Sequence, residues 1–283
     1  MTVLSTEAVV DLAGSRLGPA DTAIFETFVV PRYLTAFGDL AVEMLAEGQD
    51  AQVAHLLCRT GFPDVAIAGK LRGAHIYGCD PSPHAVELAR LKAAMVPDMF
   101  ADYRVADSVP VPLPAAAFSH ALTLHPALRA AERVLLLREC ARLLAPHGQA
   151  LIAVPMRGSF QEVFDLLREF ALKNEAVDVT QAVEHASTAR PTMEVLGAEL
   201  EESGFHYVDV ELRNAVHEFQ SGRAFFEDPI ARLVVLPELR ASLAVDDVDR
   251  ALSYVREAID KYWSEGTFPL TLNVGCASGR RLA

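Results

Sequence analysis

Apolar and amphipathic stretches alternate along most of the chain. Short apolar runs predict five strands, and the segments between them repeat apolar residues at helical spacing. The predicted strands are VAHLLC, HIYGC, YRVAD, SHALTLH and QALIAVPM, and the predicted helices are DVAIAGKLR, PHAVELARLKAAM and RAAERVLLLRECARLLA. Strands that are apolar on both faces and alternate with helices indicate a parallel sheet covered on both sides. The expected fold class is therefore α/β, with a doubly wound sheet.

Further elements flank this core pattern. Residues 21–47 have helical spacing and contain Pro31, which predicts two short helices or one kinked helix. Helices over 160–172 and 191–203 are followed by the strand GFHYVDVELR. Val248, Leu252, Val255, Ile259 and Tyr262 share one face of an amphipathic helix, and FPLTLNVGC is the last predicted strand. We expect one structural domain with leading helices in 1–50 and an α/β core in 51–283.

The pattern weakens over about 214–244, where Pro229 and Pro237 interrupt short helical pieces and predict an irregular insertion. Its apolar residues are Phe219, Phe225, Phe226, Ile230 and Leu233. Such a cluster either forms a partner surface or caps the core.

Composition narrows the class of protein. With 283 residues, 51% of them hydrophobic, and a mean hydropathy of +0.21, the chain can bury a large core. No run approaches about 20 apolar residues, and MTVLSTEAVVDLAG does not resemble a signal peptide, so we expect no membrane span and a cytoplasmic location. The four cysteines lack metal-site or CxxC spacing, which predicts reduced, buried thiols and no metal. A net charge of −13 argues against a nucleic-acid partner, because phosphate binding requires lysine and arginine.

The order of elements and three stretches together resemble the class I S-adenosylmethionine-dependent methyltransferases, of the methyltransferase type 11 kind. The stretches are IFETFVVPRYLTAFGDLAVEML, YGCDPSPHAVELAR and LLRECARLLAPHGQALIAVP. The resemblance implies a Rossmann-like sheet of seven strands, mostly parallel, with the antiparallel last strand between strands five and six. It also implies that S-adenosylmethionine lies at the carboxyl ends of the first strands, where open α/β sheets bind ligands.

The resemblance assigns roles to particular residues. Asp80, in YGCDPS, matches the acid that binds the ribose hydroxyls, although an aspartate here could equally cap the following helix. Asp107, in VADSV, matches the acid that contacts adenine. Cys58, Arg59 and Gly61 belong to the loop that lies beside the cofactor in this family.

That loop departs from the family pattern. The family has an acid followed by G-x-G-x-G. This chain has His55, Leu57 and Arg59 in place of the acid and the first two glycines, and only Gly61 is retained. A left-handed backbone costs a non-glycine residue about 1–2 kcal/mol, so we expect the loop to take another path. Arg59 would also repel the sulfonium of the cofactor, by about 4 kcal/mol at 4 Å near a protein surface. We therefore hypothesise that Arg59 pairs with Asp80 and fills the crevice.

No catalytic residue can be assigned. Ser119 and His120 stand where family members often carry an acid, and His120 and His125 are either general bases or structural histidines. The other glycine-rich stretch, GCASG at 275–279, is expected to be a strand exit on the side of the sheet away from the crevice.

Three functions remain open. The first is a methyltransferase-like protein that has lost catalysis, binds no cofactor and serves as a binding, regulatory or scaffolding module for a protein partner or a small molecule. The second is an active enzyme that uses S-adenosylmethionine to methylate a small molecule or a protein side chain. The third keeps the crevice but binds an adenine nucleotide or another anion through Arg59.

Overall fold

The computed structural model describes residues 10–12, 16–125 and 129–282, so most of MTVLSTEAVVDLAG lies outside the described residues. The strands are β1 Val10–Asp11, β2 Gln52–Leu56, β3 His75–Asp80, β4 Phe100–Val105, β5 Ser108–Val109, β6 Phe118–Leu124, β7 Leu144–Pro155, β8 Phe205–Phe219 and β9 Phe268–Arg281. The helices are α1 Pro19–Ile24, α2 Thr35–Met44, α3 Asp64–Lys70, α4 Pro83–Ala94, α5 Ala130–Leu143, α6 Gln161–Lys173, α7 Val177–Ala189, α8 Met193–Glu202, α9 Gly222–Glu227, α10 Leu236–Leu243 and α11 Val248–Tyr262, with π-helical segments at Phe25–Leu34 and Ala231–Val235.

Seven strands form one sheet in the order β4-β3-β2-β6-β7-β9-β8. β9 pairs antiparallel with both β7 and β8, whereas the pairs from β4 to β7 are all parallel. The predicted α/β fold class and the antiparallel last strand are confirmed. Because β2, β3 and β6 are parallel neighbours, their carboxyl ends meet at one edge of the sheet, which is where open α/β sheets bind ligands.

The leading helices form one continuous rod. Residues 19–44 are helical throughout, and Pro31 lies inside the π-helical segment that joins α1 to α2. Proline has no N–H to give to the preceding turn, and the wider turn accommodates this loss. The Thr35 hydroxyl donates to the Val30 carbonyl at 3.0 Å across the same turn. Of the two alternatives that the sequence leaves open, the structure shows a single helical rod.

Residues 214–244 are regular, which corrects the predicted irregular insertion. β8 continues to Phe219, and α9, the second π-helical segment and α10 follow it. Phe219, Phe225 and Ile230 are buried in the main core, and the Phe225 ring contacts Phe219 and Phe226 edge-on. Three of the five apolar residues of this segment therefore cap the core, and Phe226 and Leu233 are partly buried against it.

The GCASG stretch also differs from its prediction, because β9 runs through it to Arg281. A Cβ at Gly275 would lie 2.3 Å from Met156 Sδ, and a Cβ at Gly279 would lie 2.8 Å from Phe205 Cβ. These glycines therefore let side chains of neighbouring segments pack tightly against β9. The expectation that this stretch is no cofactor loop is consistent with its place inside a central strand.

The core contains the cysteines and spans both faces of the sheet. Cys58, Cys79, Cys140 and Cys276 are all buried free thiols, as predicted. In the described ranges no helix is both long enough and apolar enough to cross a membrane.

Candidate functional site

The loop after β2 lies where the carboxyl ends of β2 and β3 meet. Leu57 has a φ of 54°, Arg59 a φ of 50° and Gly61 a φ of 75°, so all three adopt the left-handed conformation. This corrects the expectation of another path. The Leu57 side chain is almost completely buried, and burial of a leucine contributes about 1.5–3 kcal/mol, which offsets the left-handed strain of about 1–2 kcal/mol.

Backbone hydrogen bonds fix the same loop. The Cys58 N–H donates to the Cys79 carbonyl at 3.1 Å, and the Gly61 N–H donates to the Cys58 carbonyl at 2.8 Å. Cys58 itself is buried, and burial raises the pKa of its thiol well above the usual range. A thiol in this state is a packing group and not a nucleophile.

Asp80 ends β3 and is enclosed completely, with an exposed fraction of 0%. Its Oδ1 accepts from the Ser82 N–H at 2.9 Å, and its Oδ2 accepts from the Arg59 N–H at 3.0 Å. The Arg59 guanidinium lies above the same oxygen, with Nη1 3.9 Å from Oδ2 and 15% of the side chain exposed. The hypothesised Arg59–Asp80 ion pair is present. Asp80 holds both the loop and the turn before α4 through the N–H groups that it accepts.

Asp107 lies beyond the end of β4 and is half exposed. Its carboxylate pairs with Arg16 at 2.6 Å, and the Arg16 Nε donates to the Pro81 carbonyl at 3.1 Å. The Leu17 N–H donates to Ser82 Oγ at 2.9 Å, and β1 pairs with β5 next to Asp107. The segment before α1 therefore crosses the ends of β3 and β4. No pattern in the sequence signalled this crossing, because it depends on contacts between residues far apart in the chain.

A buried hydrogen-bond network of His55, Asp64 and Tyr103 lies beside the loop, and we call it the loop network. The His55 Nδ1–H donates to Asp64 Oδ1 at 2.7 Å, and the Tyr103 hydroxyl donates to Asp64 Oδ2 at 2.8 Å. All three side chains are buried. Burial and the Asp64 carboxylate raise the pKa of Tyr103 well above its usual range, so the phenol remains a donor. His55 thus stands where the family has an acid, and the nearby carboxylate is supplied by Asp64 of α3.

A second polar group lies at the end of β6, and we call it the strand-end cluster. It consists of Tyr33, His125, Arg190, His217 and Glu238. Tyr33 Oη lies 3.0 Å from His125 Nε2, and Arg190 Nη2 donates to Glu238 Oε1 at 2.8 Å. The Arg190 guanidinium also stacks over Phe160 at 4.5 Å.

The protonation states of this cluster follow from burial. Burial, reinforced by Arg59 and Arg190, lowers the pKa of His125 to about 3, and burial together with Glu238 raises the pKa of Tyr33. At neutral pH the phenol therefore donates to a neutral imidazole. Arg190 Nε, His217 Nε2 and Glu238 Oε2 are buried without a hydrogen-bond partner among the described residues.

The two histidines that the sequence offered as bases differ in position. His120 is buried near the amino end of β6, with Nδ1 2.9 Å from Ser119 Oγ and Nε2 3.2 Å from the Ala46 carbonyl. It joins the strand to the end of α2 and lies away from the crevice. His125 lies at the carboxyl end, beside the crevice.

Comparison with known proteins agrees with this architecture. Residues 55–152 match the family model described as a methyltransferase domain. The predicted resemblance to class I methyltransferases is confirmed. No curated protein sequence matches the chain.

Solved structures of this methyltransferase fold superimpose over most of the chain. The YcgJ protein of Bacillus subtilis is 12% identical with a TM-score of 0.57, covering 88% of this chain and 99% of its own. A Haloferax volcanii complex between the Trm112 methyltransferase activator and a methyltransferase contains a match that is 17% identical with a TM-score of 0.55, covering 98% and 100%. Phosphoethanolamine N-methyltransferase 2 of Haemonchus contortus, solved with phosphomonomethylethanolamine and S-adenosylhomocysteine, is 15% identical with a TM-score of 0.52, covering 93% and 58%.

The methyltransferase framework shows what the cofactor would meet in this chain. A ribose at Asp80 would need an accessible acceptor oxygen, but the Asp80 side chain is completely enclosed and its Oδ2 also faces the Arg59 guanidinium. An adenine amino group at Asp107 would compete with Arg16. In the arrangement that the structure shows, Arg59 and Arg16 already contact the two carboxylates that the resemblance assigns to the cofactor.

Proposed function

We propose that this chain is a methyltransferase-fold protein that has lost S-adenosylmethionine-dependent catalysis and acts as a binding, regulatory or scaffolding module. The observation that carries the proposal is the position of Arg59. Its guanidinium lies 3.9 Å from the buried Asp80 carboxylate, inside the crevice that would receive the cofactor. A sulfonium about 4 Å from a guanidinium would be repelled by about 4 kcal/mol, and the Asp80 carboxylate offsets part of this repulsion because it pairs with the same group.

The segment before α1 supports the same proposal. Arg16 pairs with Asp107 and also donates to the Pro81 carbonyl, so the adenosine side of the crevice is engaged by the chain itself. The Arg16–Asp107 pair is about half exposed, and exposed pairs contribute at most about 1 kcal/mol. Arg59 is therefore the stronger obstacle, and Arg16 the weaker one.

One observation favours an active methyltransferase as a second candidate. The loop keeps the left-handed backbone at residues 57, 59 and 61 even though two glycines are replaced. Tyr33 and His125 also place a phenol and a neutral imidazole at the end of β6. An active enzyme of this kind would take a small molecule or a protein side chain as methyl acceptor, and the Haemonchus contortus structural neighbour is a phosphoethanolamine N-methyltransferase.

Isothermal titration calorimetry with S-adenosylmethionine and S-adenosylhomocysteine tests the proposal. We expect no binding by the wild-type protein. A dissociation constant below about 100 µM, or about −5.5 kcal/mol, would contradict the loss of cofactor binding and favour the second candidate.

The variant Arg59→Gly then tests the stated cause. Glycine removes the guanidinium and suits the φ of 50°, so we expect this variant to gain affinity for S-adenosylmethionine. Arg72→Gly, which removes an exposed arginine before β3, is the matched control and should gain nothing. If Arg59→Gly folds and still does not bind S-adenosylmethionine, Arg59 is not the residue that prevents cofactor binding.

A further inference from the structure

The edge strand β8 is unusual in its length and composition. It has 15 residues and pairs only with β9 within the part of the chain that the structure describes. Between Phe205 and Phe219 it contains no proline, glycine or lysine, the residues that commonly block pairing at a sheet edge. The opposite edge strand, β4, has only six residues. A long open edge of this kind is a template for another strand.

One face of β8 also exposes apolar side chains. Side chains alternate along a strand, so Val208, Val210, Leu212 and Val216 share a face. Helix α8 covers the first two, since its Gly197 lies close to both. Leu212 and Val216 remain 44% and 56% exposed.

The charged residues on either side of Leu212 have opposite signs, so two antiparallel copies of β8 centred on Leu212 would bring opposite charges together. In an antiparallel pair of identical strands centred on Leu212, Glu211 lies opposite the partner's Arg213, and the symmetry repeats this contact. Leu212 lies opposite the partner's Leu212, and Val210 lies opposite the partner's Asn214. The register with β9 is regular from Asp209 to Phe219, so this stretch is straight enough to pair.

Neighbouring registers are less favourable. A centre at Glu211 would place two glutamates opposite each other, and a centre at Arg213 would place two arginines opposite each other. Like charges directly opposite destabilise a strand pair, whereas opposite charges stabilise it. Arg213 already pairs with Glu43 of its own chain at 2.7 Å, and its side chain is partly exposed, so its guanidinium has further N–H groups that can donate to a second carboxylate.

We propose that a second copy of this chain pairs antiparallel with β8, with Leu212 on the two-fold axis. The two seven-stranded sheets then join into one continuous sheet. The interface lies at the sheet edge formed by β8, whereas the crevice lies at the ends of β2, β3 and β6. Dimer formation is therefore independent of whether the crevice binds a cofactor.

Light scattering coupled to size-exclusion chromatography tests the charge pairing. We expect the wild type to be a dimer and Glu211→Arg to be a monomer, because the variant creates two arginine pairs. The double variant Glu211→Arg plus Arg213→Glu restores opposite charges and should be a dimer again. Glu202→Arg makes the same charge change on α8 and should remain a dimer. A monomeric wild type at millimolar concentration, or a dimer unaffected by Glu211→Arg, would overturn the proposal.

Cross-linking tests the register itself. Directly opposite Cα atoms lie about 4.5–5.5 Å apart, within the range of about 4.4–6.8 Å that a disulfide bridges. Leu212→Cys should therefore oxidise to a covalent dimer. Asn214→Cys lies on the same face but four residues away from the partner's residue 214 along the strand. At about 3.3 Å per residue the two thiols would be about 13 Å apart, so this variant should not form a covalent dimer. The native cysteines are buried and do not compete. Equal cross-linking of both variants, or of neither, would overturn the register.

Discussion

Two polar clusters, the loop network after β2 and the strand-end cluster after β6, differ in how their buried polar atoms are paired. In the loop network both Asp64 oxygens accept a hydrogen bond, from His55 and Tyr103. In the strand-end cluster Arg190 Nε, His217 Nε2 and Glu238 Oε2 are buried with no partner among the described residues. Folded proteins pair most buried polar groups, because an unpaired one costs about 1–3 kcal/mol.

The difference indicates that the loop network supports the structure, whereas the strand-end cluster has polar atoms that could bind a ligand. The Asp64 carboxylate accepts from His55 and Tyr103, whereas Thr60 Oγ1 in the loop itself is buried without a partner among the described residues. The strand-end cluster keeps donors and an acceptor that a polar ligand or ordered water would satisfy. If this division is right, the same carboxylate-to-amide substitution should be costly in the first cluster and cheap in the second.

The largest effect is expected from Asp64→Asn. The amide keeps an acceptor oxygen for one partner and turns an NH2 group toward the other, which also donates, so one of the two buried hydrogen bonds to the carboxylate is lost. We expect the free energy of unfolding to fall by about 3 kcal/mol, as for a buried polar group that loses its partner. Urea denaturation at pH 7 measures this loss.

Asp39→Asn, at an exposed position on α2, is the control and should change stability by less than about 0.5 kcal/mol. A small effect of Asp64→Asn would mean that the loop is held by Leu57 burial and backbone hydrogen bonds alone. Tyr103→Phe removes one buried hydrogen bond to the Asp64 carboxylate and should cost about 1.5–3 kcal/mol.

The loop shows how far the sequence alone could go. The apolar strands and their order predicted the sheet, because burial on both faces leaves a strong local pattern. The residues that occupy the crevice were also visible, since Arg59 follows β2 and Asp80 ends the neighbouring strand β3. The path of the loop could not be predicted from the sequence, because its backbone strain is offset by burial of Leu57 against residues distant in the chain.

Other features of the site left no local signal. In the sequence, Asp64 cannot be distinguished from any acid in the first turn of a helix. Its contacts with His55 and Tyr103 form only in the folded chain. Tyr33 and Arg190 meet through the packing of the leading helices against the residues after α7. Helix α7 was itself missed, because its exposed face is polar and its apolar positions are few.

An intermediate effect is expected from pH through His125 in the strand-end cluster. Its folded-state pKa is about 3, against about 6.5 when unfolded, so between these values the unfolded state binds more protons. The stabilisation by neutral His125 is complete above pH 6.5 and is lost as the pH falls toward 3. Between pH 7.5 and 5.0 this histidine should account for about 2 kcal/mol.

His125→Asn tests this contribution, since asparagine tolerates the left-handed φ of 48° and does not titrate. The drop in unfolding free energy between the two pH values should be about 2 kcal/mol smaller than in the wild type. His84→Asn, at an exposed position on α4, should leave the drop unchanged. A drop that is the same in all three proteins would place the acid sensitivity elsewhere, with His120 and His217 next, because burial lowers the pKa of both.

The smallest effect is expected from Glu238→Gln, the counterpart of Asp64→Asn. Glu238 is 27% exposed, and its Oε1 keeps the Arg190 contact when an amide oxygen replaces the carboxylate. The amide nitrogen takes the place of Oε2, which has no partner to lose among the described residues. Solvent screening limits the lost charge interaction, so we expect less than about 1 kcal/mol by urea denaturation, close to the exposed control Glu201→Gln. A loss as large as that of Asp64→Asn would show that the strand-end cluster is as necessary for folding as the loop network, and its unpaired atoms would then no longer indicate a binding site.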